Sequence, residues 1–161
     1  MNNNGVTVVK KVGICANFGF ARDTFGGQEA KSRTVANEII RVYGKGSVTL
    51  LDTYGGLKTR GILLVRLLGM LCRSSNVVIL PAHNGLRVIA PLLVYGNLLF
   101  HRKLHYVVIG GWLPDFLKGR NFLSRILKAF DGIYVETYFM KCALEKLGFQ
   151  NIFLLPNCKD L

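Results

Sequence analysis

The sequence predicts an α/β fold built on a parallel sheet with helices on both faces. Apolar, β-branched runs recur at regular intervals along the chain and alternate with segments of helical periodicity, which is the pattern of repeated βα units. Several of these runs are continuously apolar, as expected for strands that are covered on both sides. The length of 161 residues suits one domain.

Six strands and five helices account for most of the chain. The strands are predicted at Val6–Ala16, Ser47–Asp52, Asn76–Pro81, His105–Ile109, Gly132–Glu136 and Asn151–Leu155. The helices are predicted at Gln28–Tyr43, Thr59–Arg73, Gly85–Phe100 and Asn121–Phe130, and a fifth runs from Thr137 to Gly148. Asn121 and Thr137 are the predicted N-caps of the last two helices, because their side chains can accept a hydrogen bond from the first turn.

The charge of the chain indicates an anionic neighbour. The 21 Lys and Arg residues against 9 Asp and Glu residues give a formal net charge of +12, more than solubility requires. Nucleic acid, an anionic lipid surface and phosphate-bearing substrates are all compatible with that charge.

The remaining composition favours a cytoplasmic location. The four cysteines are widely scattered, without the short spacing of a zinc or redox motif, so we expect reduced and mostly buried thiols. The first residues lack the features of a signal peptide. The most apolar stretches, Gly61–Cys72 and Leu86–Phe100, are too short to cross a bilayer.

Function is expected in the loops that follow the strands, because ligands of open parallel sheets bind beyond the carboxyl ends of the strands. The first loop ends in Gly26-Gly27-Gln28 at the start of a helix. Two glycines permit close approach of a ligand to the backbone, and free N–H groups at a helix start favour a phosphate. The alternative is that the glycines only form a tight turn.

Five later residues are candidates for binding a sugar. His83 and Asn84 follow the third strand, Trp112 and Asp115 follow the fourth, and Glu136 ends the fifth. An imidazole can hydrogen-bond a hydroxyl or carry a proton, an aromatic ring stacks on a sugar ring, and carboxylates accept hydroxyl protons. The structural alternatives are a solvated His83 at a helix entry, a Trp112 that covers the sheet edge, and carboxylates that serve turns or helix starts.

A basic segment, His101–His105, follows the apolar third helix, and further cations flank the second, namely Lys58, Arg60, Arg66 and Arg73. Apolar helices bordered by cations suit contact with anionic lipid headgroups. The alternative is a basic surface that contacts only solvent.

The order of these parts resembles the amino-terminal domain of family 4 glycosyltransferases of the GT-B fold. The markers are the Gly26-Gly27-Gln28 helix entry and the closing stretch Lys146–Asn157, and the resemblance spans nearly the whole chain. It implies a Rossmann-like parallel sheet that forms one half of a bilobal GT-B fold.

The resemblance also implies an activity. A sugar would pass from a nucleotide sugar to a saccharide or lipid-linked acceptor in cell-surface polysaccharide biosynthesis, without a bound metal or further cofactor. Gly26, Gly27 and Gln28 would approach the donor phosphates. The acceptor would be held by His83, Asn84, Trp112, Asp115 and Glu136. No catalytic residue is assigned.

The resemblance further implies a carboxyl-terminal donor-binding domain that begins just beyond Asn157. Because the sequence stops at Leu161, residues 1–161 correspond to the acceptor-side domain alone. We therefore expect a partner in the form of that domain or a complementary subunit, together with an anionic surface at the inner face of the plasma membrane.

Two rival functions are a nicotinamide-binding oxidoreductase domain and a basic nucleic-acid-binding module. Asp52 ends the second strand, where a ribose-binding acid would lie, but the glycines of the first loop do not give the G-x-G-x-x-G spacing. The aromatic residues do not alternate with Lys and Arg as on a nucleic-acid platform. We therefore predict no nucleic-acid partner.

Overall fold

The structure is a computed structural model that describes residues 11–19, 26–53 and 60–156. Six strands are present in this part of the chain: β1 (Val12–Ala16), β2 (Val48–Asp52), β3 (Asn76–Leu80), β4 (Lys103–Val107), β5 (Gly132–Val135) and β6 (Ile152–Leu154). The α-helices are α1 (Gly27–Tyr43), α2 (Arg60–Arg73), α3 (His83–Phe100), α4 (Leu113–Leu117), α5 (Asn121–Lys128) and α6 (Tyr138–Lys146). A 3-10 turn, Lys45–Ser47, precedes β2.

The strands form one parallel sheet in the order β2-β1-β3-β4-β5-β6. The chain leaves β1 outward to β2 and then returns past β1 to β3, so the direction of winding reverses between β1 and β3. In open α/β sheets this reversal opens a crevice at the carboxyl ends of the strands. The predicted Rossmann-like α/β fold is confirmed.

Helices cover both faces of the sheet, but unequally. The helix α1 packs through Ala36 on one face, against β1, β3 and β4. The other described helices contribute to a larger core on the opposite face, which includes Leu71, Leu93 and Leu127. Covering the sheet on both sides leaves every residue of β1 buried.

Most element boundaries agree with the prediction within two residues, and one short helix was not predicted. The strand β4 begins at Lys103 and not at His105, because its polar residues alternate on a face that α1 only partly covers. The helix α3 begins at His83 and not at Gly85. The helix α4 was not predicted, since five residues beginning Leu113-Pro114 carry too little periodicity. Residues 6–10 of the predicted first strand and Thr59 lie outside the described residues.

Of the two predicted N-caps, one is confirmed and one is wrong. Thr137 accepts a hydrogen bond from the Met140 amide at 3.3 Å and caps α6 as predicted. Asn121 is not a cap, because it is the first residue of α5 and Arg120 takes the cap position. The left-handed Gly119, at φ 73°, turns the chain one residue earlier than the pattern indicated.

The prediction of mostly buried cysteines is wrong for Cys72, which is exposed on α2, while Cys142 is half-buried. Cys15 lies fully inside the sheet. Burial, with a smaller contribution from Asp52, raises the pKa of the Cys15 thiol to about 12. This thiol is therefore inert at neutral pH.

The approach of α2 to β1 depends on Gly13. A Cβ atom at Gly13 would lie 2.4 Å from Met70 Cγ and 2.9 Å from Ser74 Oγ. Met70 and Ser74 are both buried, so relief of this overlap would require a shift in the packed core. A hydrogen side chain at position 13 lets the helix pack at this distance.

Replacing Gly13 with Ala is therefore expected to destabilise the fold by about 1–3 kcal/mol through overpacking. Urea unfolding measures the change. Gly69→Ala on α2 is the matched control, because a Cβ there meets nothing within 4 Å and Ala should add about 0.5–1 kcal/mol of helix stability. A Gly13→Ala variant as stable as the original chain would contradict the packing described.

Beyond the reach of α1, the sheet carries a half-exposed cluster of His105, Tyr134 and Phe153. The Tyr134 hydroxyl lies 3.3 Å from His105 Nδ1, and the Tyr134 ring stacks on Phe153. The pKa of His105 is lowered, mainly by burial. The Asp131 carboxylate raises this pKa, and the Lys103 ammonium lowers it further. The folded chain thus disfavours protonation of His105.

Stability should accordingly fall as the pH falls from about 7 to about 5, since the unfolded chain protonates His105 at its ordinary pKa of about 6.5, before the folded chain does. Glutamine cannot be protonated in this pH range, so the His105→Gln variant should lose less stability than the original chain over the same change in pH. Urea unfolding at both pH values provides the measurement. The same loss in the variant and in the original chain would exclude His105 as its source.

Candidate functional site

The carboxyl edge of the sheet has two sides, which correspond to the two helical layers. The starts of α1 and α3 both lie at the end of β3. Gln28 Nε2 donates to the Leu80 carbonyl at 3.4 Å on the α1 side, and His83 begins α3 on the other side three residues later. The predicted site residues divide between these two sides.

On the α1 side, Glu29 organises the helix start. Its Oε2 accepts a hydrogen bond from the Gly26 amide at 3.1 Å, and its Oε1 accepts one from Asn17 Nδ2 at 3.0 Å. Gly26 and Gly27 are exposed, and a Cβ at Gly27 would meet nothing within 4 Å. Phosphate binding by Gly26, Gly27 and Gln28 remains a prediction, and it requires the Glu29 carboxylate to turn away.

The first loop is fixed to the sheet and to α1 by polar contacts. Arg33 Nε donates to the Phe18 carbonyl at 2.9 Å, and its Nη2 donates to the Gly19 carbonyl at 3.3 Å. The Phe18 amide donates to Asp52 Oδ1 at 3.2 Å, and the Phe18 ring is fully buried. These contacts hold the described part of the loop over β1, and Asp52 supports it.

Glu136 also lies on the α1 side, where it forms an ion pair with Lys31. The two side chains are only 19% and 13% exposed. The pair ties the end of β5 to the second turn of α1 and neutralises much of the Glu136 charge. A binding role for Glu136 remains a prediction.

Glu136→Gln should destabilise the chain by about 1–3 kcal/mol, because it leaves the nearly buried Lys31 ammonium without its counter-charge. The double variant Lys31→Met/Glu136→Gln should lose less than the two single changes added together. Chemical unfolding of Lys31→Met, Glu136→Gln and the double variant, each compared with the original chain, gives the coupling energy between the two side chains.

The control for this cycle is the exposed pair Asp115–Lys118, whose side chains are 82% and 71% exposed. Its coupling should not exceed about 1 kcal/mol. Equal coupling energies in the two cycles would contradict the difference in burial.

On the other side of the edge, the structure brings His83 and Trp112 together. Their rings stack with centroids 3.8 Å apart and an interplanar angle of 29°. Phe116 meets both edge-on, at 5.0 Å from His83 and 5.1 Å from Trp112. The indole Nε1 donates to the Ile109 carbonyl at 2.7 Å, and the left-handed Gly110, at φ 78°, turns the loop between them.

Two arginines complete this aromatic–basic cluster, which we define as His83, Arg87, Trp112, Phe116 and Arg120. The guanidinium carbons of Arg87 and Arg120 lie 5.1 and 4.4 Å from the Phe116 centroid. Neither arginine is ion-paired with a carboxylate among residues 11–19, 26–53 and 60–156. Both therefore keep their charge available to an anion.

The two arginines also line an open cavity of about 450 Å³ between the starts of α3 and α5. Its other lining residues are Gly119, Asn121, Phe122 and Leu123. The cavity is large enough for a group the size of a sugar phosphate. The two arginines give the cavity a positive charge, which favours a ligand of negative charge.

The remaining predicted residues lie apart from the stack. Asn84 is exposed on the first turn of α3. Asp115 lies on α4, where its Oδ1 accepts a hydrogen bond from Lys118 at 2.6 Å, and it points into solvent. Their acceptor-binding roles remain predictions.

Three residues of the cluster were not predicted as site residues, namely Arg87, Phe116 and Arg120. Arg87 follows His83 by four residues and Phe116 follows Trp112 by four, and such pairs share one helix face. That spacing could have found the first two. Arg120 joins them only through the turn at Gly119, which no pattern indicated.

Within the described ranges, no cluster of three or more His, Cys, Asp or Glu side chains is placed to hold a metal ion. In the same part of the chain, no helix combines the length and hydropathy needed to cross a bilayer.

Comparison with known proteins gives no assignment. No protein-family model, no curated protein and no solved structure matches this chain.

Proposed function

We propose that this chain is the acceptor-side domain of a glycosyltransferase, which transfers a sugar from a nucleotide sugar to a saccharide or lipid-linked acceptor in cell-surface polysaccharide synthesis. The observation that carries the proposal is the stack of His83 on Trp112 at the carboxyl edge of a parallel sheet. Aromatic rings at this edge suit a sugar ring, whose apolar face packs on aromatic carbon.

The polar groups of the cluster complement the rest of an acceptor. The exposed imidazole of His83 offers ring nitrogens to sugar hydroxyl groups. Arg87 and Arg120, on the cavity wall, suit a phosphate, because a guanidinium binds phosphate oxygens in pairs. The ligand chemistry that fits best is a sugar linked to a phosphate or diphosphate.

The donor is assigned to the opposite side of the edge. Gly27 leaves the start of α1 open, and Gln28 is tied to the end of β3. A donor diphosphate at this helix start would replace the Glu29 carboxylate as the partner of the Gly26 amide. The donor and the acceptor would then lie on either side of the end of β3. Transfer of a sugar requires the two substrates to be adjacent in this way.

The only tryptophan of the chain, Trp112, makes acceptor binding directly measurable. Titration with a sugar phosphate should change the intrinsic fluorescence of Trp112, with a Kd on the order of 1 mM for an isolated half-site. Arg87→Ala or Arg120→Ala should weaken binding of the phosphorylated sugar by about tenfold, with little effect on the unphosphorylated sugar.

The matched control is Arg125→Ala, which removes a charge from an exposed position of α5 away from the cavity lining. It should bind the sugar phosphate like the original chain. An equal loss in this control, or a fluorescence response to oligonucleotides or nicotinamide cofactors but not to sugars, would contradict the proposal.

A further inference from the structure

The outer face of α2 and α3 exposes large apolar side chains to solvent. Ile62 and Val65 on α2 are 50% and 69% exposed, and Tyr95, Leu98 and Leu99 on α3 are 56%, 66% and 79% exposed. We call these five residues the α2–α3 surface. Large exposed apolar side chains mark a contact with a partner or a membrane where they form a contiguous patch.

The five residues lie on one side of the molecule. Both helices contribute buried side chains to the same core, namely Leu67 and Leu71 from α2 and Ile89 and Leu93 from α3. The helices also pack directly against each other, since a Cβ at Gly96 would lie 3.0 Å from Leu68 Cδ2 and 3.2 Å from Leu71 Cδ1. Their solvent-facing stripes therefore lie side by side.

The charge around this surface has one sign. Neither α2 nor α3 contains an Asp or Glu, and none occurs between Asp52 and Asp115 in the sequence. Arg66, Arg73 and Arg87 are exposed on the two helices. The charged side chains on the two helices that carry the apolar surface are therefore all cationic.

The predicted basic segment after α3 contributes less charge than its sequence indicates. Arg102 Nε donates to the Leu71 carbonyl at 3.0 Å, which places its guanidinium at the C-terminus of α2. Lys103 lies 3.6 Å from the Asp131 carboxylate. Among the described residues of α2, α3 and the basic segment, the exposed arginines that remain for a partner are those on the two helices themselves. The predicted cation Lys58 lies outside the described residues.

From this combination we propose that the α2–α3 surface docks on an anionic lipid bilayer. Apolar side chains enter the boundary between headgroups and acyl chains, and the surrounding arginines contact phosphate groups of the lipid. A second copy of this chain fits less well, because a symmetric dimer would bring two carboxylate-free basic faces together. A bilayer supplies both the apolar phase and the negative charge.

The inference is independent of the proposed function, since binding to vesicles requires no sugar donor or acceptor. The full chain should cosediment with vesicles that contain phosphatidylglycerol and not with vesicles of phosphatidylcholine alone, and added salt should weaken the binding. The double variant Leu98→Ser/Leu99→Ser should lose most of the binding. Arg66→Gln and Arg73→Gln should each weaken it about fivefold.

Matched controls come from the opposite side of the sheet. Val42 on α1 is 69% exposed and Lys45 is also exposed, so Val42→Ser and Lys45→Gln repeat both kinds of change away from the α2–α3 surface. The proposal requires these controls to bind like the original chain. It is overturned if anionic vesicles are not bound, or if the controls lose binding as the surface variants do.

A second measurement uses the exposed Cys72 on α2 and leaves the surface residues intact. An environment-sensitive fluorophore on Cys72, in a Cys142→Ser/Cys158→Ser background, should shift to shorter wavelength with anionic vesicles. A shift that depends only on protein concentration, without vesicles, would assign the surface to self-association and overturn the proposal.

Discussion

The strand β1 is buried on both faces, and the positions of the other elements depend on it. A strand sandwiched between two helices can pair with further parallel strands only if each crossover carries its own helix over the sheet. The chain satisfies this by winding outward to β2 with α1 and back to β3 with α2. That reversal places the starts of α1 and α3 on opposite sides of the same edge.

The parts of the fold that could be predicted are those whose pattern is set by burial alone. The strand β3 is almost entirely buried, and its continuously apolar sequence gave its position to within one residue. The strand β4 was misplaced by two residues because one of its faces is only half covered, so Lys103 and His105 interrupt the apolar run. Where helices cover a sheet face only partly, polar residues interrupt the apolar pattern of the strand, and its ends are harder to predict.

The candidate site was only partly predictable for a related reason. His83 and Trp112 were each recognised from their place after a strand, but their contact depends on the short helix α4 and on the backbone turn at Gly110. Arg120 reaches Phe116 through another left-handed glycine. Loop conformations of this kind depend on tertiary contacts, which a local pattern does not contain.

The two proposals, although they are tested independently, are linked by the helix α3. This helix carries His83 and Arg87 at its start and Tyr95, Leu98 and Leu99 near its end. With a rise of about 1.5 Å per residue, roughly 18 Å of helix separates the two groups. If the outer face of α3 lies on a bilayer, the aromatic–basic cluster lies within roughly this distance of the docked residues along the helix.

An acceptor anchored in the same bilayer by a lipid phosphate would then have its sugar close to the cluster. Diffusion in two dimensions would replace diffusion in three, which raises the effective concentration of such an acceptor without any additional contact. This advantage exists only for a lipid-linked acceptor, so docking of the α2–α3 surface would favour that acceptor over a free saccharide.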